Sequence, residues 1–139
     1  GRCFLYQNDV VNEECVYSRG KKRETIRLLD GTTMKVFRNS QLVYQGTYSG
    51  DMKTGYKRAG QGTEYENGSV VYVGDYMDDK RNGMGTQYRN EHEWFIGSFK
   101  KGVQHGQGRI MNEDGTVIIE GDWKYGFLQT EYGVVDAQA

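Results

Sequence analysis

The sequence predicts an all-β chain, folded as an elongated, twisted, single-layer antiparallel meander of stacked hairpins. Three observations carry that prediction. Gly-x-Gly pairs begin at Gly60, Gly83 and Gly106, so they recur every 23 residues. A second glycine column, Gly46, Gly74, Gly97 and Gly121, is flanked two residues before by Tyr44, Tyr72, Phe95 and Ile119, and two residues after by Tyr48, Tyr76, Phe99 and Trp123. The surrounding residues are rich in Tyr, Thr, Val, Phe and Ile, which fit a pleated surface, and no window carries helical apolar spacing.

The elements follow in order. Cys3–Tyr6, Val10–Tyr17 and Glu24–Leu29 read as short strands separated by Gln7-Asn8-Asp9 and Arg19-Gly20-Lys21. They lack the glycine–aromatic columns, so residues 1–33 form either degenerate repeats or a cap over one sheet edge. Asp30-Gly31 is a favoured two-residue hairpin turn, and so is Asn67-Gly68. Arg38-Asn39-Ser40 stands in register with Glu66-Asn67-Gly68, so Met34–Gly46 matches Gly62–Gly74 and the repeat sheet spans 34–139. Gly46 to Gly60 is 14 residues where the later units need 9, so the first unit carries a longer loop within Ser49–Ala59. The last unit decays, because Thr130 stands where a Gly-x-Gly pair would begin.

Each unit then reads as one hairpin. Period-2 geometry puts both rings of aromatic-x-Gly-x-aromatic on one face, with the glycine between them. The missing side chain leaves a slot in which a neighbouring ring lies on bare backbone. Gly-x-Gly opens the next strand and permits sharp bending or close packing. A phosphate-cradling loop would need a strand-to-helix junction, which this context does not supply.

Tyr-x-Gly-x-Tyr, a short loop and then Gly-x-Gly at a 23-residue period resembles the MORN repeat (membrane occupation and recognition nexus) from about Met34 to Tyr132. Departures are the loop insertion, Glu91 and His92 near a turn, and Ile119 in an aromatic column. The resemblance implies a single-layer sheet with an aromatic groove. It also implies a role in protein interaction, phospholipid association, or cytoskeletal or ciliary structure.

The candidate site is a partner-binding groove. Tyr48, Tyr76, Phe99 and Trp123 share one column and are expected to form a ladder contacting a helix or extended segment of a protein partner. Tyr65 and Tyr88, three residues past their glycine pairs, join the candidates, although the pattern leaves their face open. Aromatic side chains bring roughly 150–250 Å² each, so a half-covered row would call for a terminal segment, a second copy in a homodimer, or a partner. The loops carry Lys57-Arg58, Lys80-Arg81 and Lys100-Lys101, whereas Glu64, Glu66, Glu91, Glu93, Glu113 and Asp114 gather towards the opposite edge. The basic edge suits an anionic membrane lipid, although Asp51, Asp78 and Asp79 dilute it.

Other chemistry finds little support. Net charge is −1, unlike a nucleic-acid polyelectrolyte. His92 and His105 have neither a nucleophile signature nor metal-ligand spacing, so no catalytic residue, cofactor or metal is expected. Cys3 and Cys15 suit a reduced compartment or one local disulfide, and free thiols in a cytoplasmic chain, membrane- or cytoskeleton-associated, are favoured. Asn67-Gly68-Ser69 is an N-glycosylation sequon that matters only in a secreted chain.

Overall fold

A computed structural model describes residues 1–130 and 133–136, the last four by backbone alone. Tyr132, the end of the repeat-like stretch, lies outside them. The described residues form one sheet of 13 antiparallel strands in sequence order. These are β1 (Arg2–Gln7), β2 (Val10–Ser18), β3 (Lys21–Leu29), β4 (Thr33–Arg38), β5 (Gln41–Asp51), β6 (Gly55–Glu66), β7 (Ser69–Met77), β8 (Lys80–Arg89), β9 (His92–Lys100), β10 (Val103–Met111), β11 (Val117–Lys124), β12 (Phe127–Thr130) and β13 (Gly133–Asp136).

Tight turns set the registers. Asn67-Gly68, Asn39-Ser40, Asp78-Asp79, Asn90-Glu91 and Lys101-Gly102 all hold two successive positive φ angles. That backbone matches the right-handed twist of the flanking strands. Asp30-Gly31 departs from expectation. Asp30 Oδ1 accepts the amides of Thr32 and Thr33 at 3.0 and 2.7 Å, which widens the connection until Leu29 pairs with Met34. The insertion in Ser49–Ala59 is also corrected, since it continues the β5–β6 ladder to Asp51↔Gly55 instead of looping out. Asp51 Oδ1 closes its tip by accepting from the Lys53 and Thr54 amides, and Tyr48 meets Tyr56 edge-on at 5.8 Å.

The glycines line up across strands. Gly46, Gly62, Gly74, Gly85, Gly97, Gly108 and Gly121 are successive register partners from β5 to β11 and form one unbroken seam. Rings lie on this seam. A Cβ at Gly62 would strike the Tyr44 ring, one at Gly85 the Tyr72 ring, and one at Gly108 the Phe95 ring. The second glycine of each Gly-x-Gly pair is therefore a ring seat. The first glycine bends the strand instead. Gly83 holds φ +105 where Asn82–Met84 bulge opposite Asp75, and Gly60 and Gly106 repeat the device.

The core is the inner face of this sheet. Tyr44, Tyr76, Tyr72, Phe99, Phe95 and Trp123 form an unbroken edge-to-face zigzag with centroids 5.1–5.5 Å apart. Such pairs add about 0.5–1.5 kcal/mol each beyond area burial. Tyr44 and Tyr72 donate their hydroxyls to the carbonyls of Thr47 and Asp75, and Trp123 Nε1 donates to Gly108 O, so the polar atoms of these three rings are satisfied. At the N-terminal end the glycine seam gives way to Met34 and Leu29, both buried.

Two cysteines meet at the first hairpin. The Asn8-Asp9 turn places Cys3 directly opposite Cys15, with Cα atoms 5.0 Å apart, and the pair is disulfide-bonded. The free-thiol expectation is therefore corrected, because hairpin register brings together residues 12 apart in sequence.

Candidate functional site

The inner face carries a second, polar layer. Register sets each ring of the later aromatic column across from a long side chain: Tyr48 faces Arg58, Tyr76 faces Arg81, Phe99 faces Gln104 and Trp123 faces Leu128. The earlier column alternates with Glu64, Gln87 and Ile110. These two sets meet across the rings. Arg81 gives Glu64 two hydrogen bonds, at 2.8 and 2.9 Å, and Gln104 donates to Gln87. One repeat later the equivalent positions hold Leu128 and Ile110, which join the apolar core instead. We call this set of links the clasp.

Electrostatics tighten the clasp. The Arg81 guanidinium lies 4.5 Å from the Tyr72 ring centroid, and that of Arg58 lies 5.1 Å from Tyr76. Such stacking on a ring face is favourable by about 0.5–2 kcal/mol. Tyr76 also donates to Glu64 at 2.6 Å. Burial alone would raise the Glu64 pKa, but the hydrogen bonds of Arg81 and Tyr76 and the two arginine charges outweigh it and hold it below the ordinary value. Burial, with Glu64 as its hydrogen-bond acceptor, pushes Tyr76 far above the ordinary phenol range. Arg58 binds Asp79 at 2.9 Å, and Arg27 binds Glu14 at 2.7 Å. The charge of Arg27 also lowers the Asp79 pKa, after the larger effects of burial and of the Arg58 contacts. Acids and arginines thus alternate along the inner face from β2 to β8.

Open clefts border the clasp on both sides. One, of ≈ 360 Å³, is lined by Arg58 and Glu64 together with Arg38, Gln41, Val43, Tyr65 and Val71. The other, of ≈ 350 Å³, is lined by Arg81, Gln87 and Gln104 with Val103, Tyr125 and Phe127.

The expected site residues divide. Tyr76, Phe99 and Trp123 are only 4, 3 and 2 % exposed, so the ladder expected to face a partner is a packed core row. The cause is the edge-to-face packing of the two ring columns, which covers each ring with its neighbours and with the arginines. The row therefore needs no second copy or partner to cover it. Tyr48 is half-buried against Tyr56. Tyr65 and Tyr88 are half-buried and do border clefts, Tyr88 beside His92, Glu93 and Met111. The expected basic edge is also corrected in part. Arg58 and Arg81 turn inward to carboxylates, whereas Lys57, Lys80, Lys100 and Lys101 are exposed near the turns.

Glu64, Gln87 and Gln104 are not among the expected groove residues. Their signal is present in the sequence, because 64 to 87 and 81 to 104 repeat the 23-residue period. Polar residues at core-column spacing nevertheless read as solvated strand ends and turns. Among the described residues, no group of three or more His, Cys, Asp or Glu side chains is placed to hold a metal ion.

Comparison with curated proteins gives no match. A family profile described as the MORN repeat matches residues 44–56, 72–91 and 95–117. Those segments contain the rings from Tyr44 to Phe99, five of the seven seam glycines, and Arg81, Gln87 and Gln104 of the clasp. With the 23-residue period and the antiparallel hairpin meander, they establish that the chain belongs to the MORN-repeat family.

Proposed function

We propose that the chain is a non-catalytic interaction module that holds an extended or helical protein segment along its inner face. The family points to repeat-based interaction or membrane association, and the layout of the inner face favours the first. The observation carrying this reading is that Arg58 and the four polar clasp residues, Glu64, Arg81, Gln87 and Gln104, each border one of two open clefts. Each cleft adds apolar surface to the polar track: Val43, Tyr65 and Val71 at one side, Val103, Tyr125 and Phe127 at the other. A segment with apolar anchors at its ends and polar groups between them matches that sequence of surfaces. Tyr125 and Phe127 are 65 and 40 % exposed and supply ready aromatic contacts.

Lipid association has weaker support. Two of the six expected lipid-facing cations are engaged by Glu64 and Asp79, and Asp78 interrupts the remaining lysines. A surface of this kind gives weak, salt-screened attraction to anionic headgroups.

Site-specific photocrosslinking separates the two readings. A photoreactive residue replacing Val103 or Tyr65 is expected to trap a protein partner in cells, whereas one replacing Val73 on the outer face is not. Purified chain sedimented with phosphatidylserine vesicles should stay in the supernatant at physiological salt. Crosslinks confined to Val73, or tight salt-insensitive vesicle binding, would overturn the proposal.

A further inference from the structure

We propose that Asn67 is an N-linked glycosylation site and that the chain matures in an oxidising, lumenal compartment. Two independent features converge on this assignment. The first is the Cys3–Cys15 disulfide, a bond that forms and persists in oxidising compartments and is rare where thiols are kept reduced. The cytoplasmic expectation rested on unpaired cysteines, and their bond removes that ground. The second is the Asn67-Gly68-Ser69 sequon, which sits on the β6–β7 turn.

The turn geometry presents the acceptor. Asn67 has φ 51 and Gly68 φ 83, so the pair forms the tip of a tight hairpin and Asn67 is exposed. No hydrogen bond engages its side-chain amide among the described residues, so Nδ2 is free to carry a substituent. Turn chemistry by itself accounts for Asn-Gly. It also places Asn39 and Asn90 at the same turn position with φ 51 and 50. Those turns continue Asn39-Ser40-Gln41 and Asn90-Glu91-His92, without a hydroxyl two residues on. Ser69 is what turn geometry does not require, and it is what completes the sequon.

The co-reactant is a polyprenyl-diphosphate-linked oligosaccharide. Asn67 Nδ2 attacks the anomeric carbon of its reducing-end sugar. The N–C bond forms as the bond from that carbon to the diphosphate oxygen breaks. Nδ2 gives one proton to a base of the transferase, and polyprenyl diphosphate departs. No electrons are exchanged. Asn67 borders the cleft of Arg38, Gln41 and Tyr65, so the sugar stands at its margin and leaves the cleft of Gln87, Val103 and Phe127 open.

The test is peptide mass spectrometry on the protein isolated from the cells that make it. After digestion, peptide N-glycosidase in heavy-oxygen water is expected to convert Asn67 to Asp carrying the heavy isotope. An unmodified Asn67 peptide in that native protein overturns the proposal. The chain expressed behind a secretion leader in eukaryotic cells should migrate as a larger species that the glycosidase collapses. Ser69→Ala should abolish that species and Ser69→Thr should keep it. A larger species that survives Ser69→Ala also overturns the assignment to Asn67.

Discussion

Substituting Gly97 by alanine tests the seam directly. A Cβ there would stand 2.5 Å from the Gln107 carbonyl oxygen, 2.5 Å from Gly108 Cα and 3.1 Å from Phe95 Cζ. Comfortable contact between carbon atoms is about 3.5–4.0 Å, so two backbone atoms of β10 must retreat by about 1 Å. Those atoms are fixed by ladder hydrogen bonds that weaken when stretched by that much. Overpacking of this kind typically costs about 1–3 kcal/mol, and the rigid neighbour puts Gly97→Ala at the upper end, about 3 kcal/mol. For a chain of this size that corresponds to a fall in melting temperature of roughly 12 °C. Gly121→Ala is the matched control. It lies on the same seam, but among the described residues its Cβ would meet only Leu128 Cδ1, at 3.0 Å, and a side-chain end can turn aside. Against the described residues its expected cost is below about 1 kcal/mol. Thermal unfolding followed by near-ultraviolet circular dichroism reads both variants. Melting temperatures that agree for the two would refute the ring-seat and backbone-contact account of the seam.

Four further outcomes follow from the inner face and the first hairpin. Tyr76→Ala and Phe99→Ala should each lose about 3–5 kcal/mol of stability in denaturant unfolding, because the rings are core; unchanged midpoints would return them to a binding role. Glu64, held below its ordinary 4.5, contributes stability that is fully present above that pH and is lost as pH falls through its folded value. Melting of the parent should therefore drop more steeply below about pH 4.5 than that of Glu64→Gln, and parallel curves would refute the clasp. Burial raises Tyr44 to about 12 and Tyr76 further, so stability present below pH 10 should decline above it; ultraviolet titration should show both rings resisting ionisation until unfolding. Reducing Cys3–Cys15 should raise hydrogen exchange in β1 and β2 while leaving β7–β10 protected, since each hairpin contacts mainly its neighbours; uniform loss of protection would contradict that modularity.

The sequence by itself determined the strands, the hairpin period and the ring-and-glycine columns. Those features are local: residues i and i+2 share a face, Asn-Gly closes a turn, and a 23-residue repeat forces equivalent residues into equivalent places. Tertiary structure decided which rings stay exposed. Tyr76 and Tyr44 stand two strands apart, a spacing of about 10 Å along a flat sheet, yet their centroids lie 5.1 Å apart. Their side chains lean together across the intervening strand, and no spacing rule reports that lean. The same step turned Arg58 and Arg81 from a solvated edge into partners of Asp79 and Glu64. A polar residue at core-column spacing has no apolar signature, and its burial becomes favourable only once a ring lies beneath it and a carboxylate opposite. The disulfide belongs to the same class, because Cys3 and Cys15 meet only after a turn and a bulge have fixed the register between their strands.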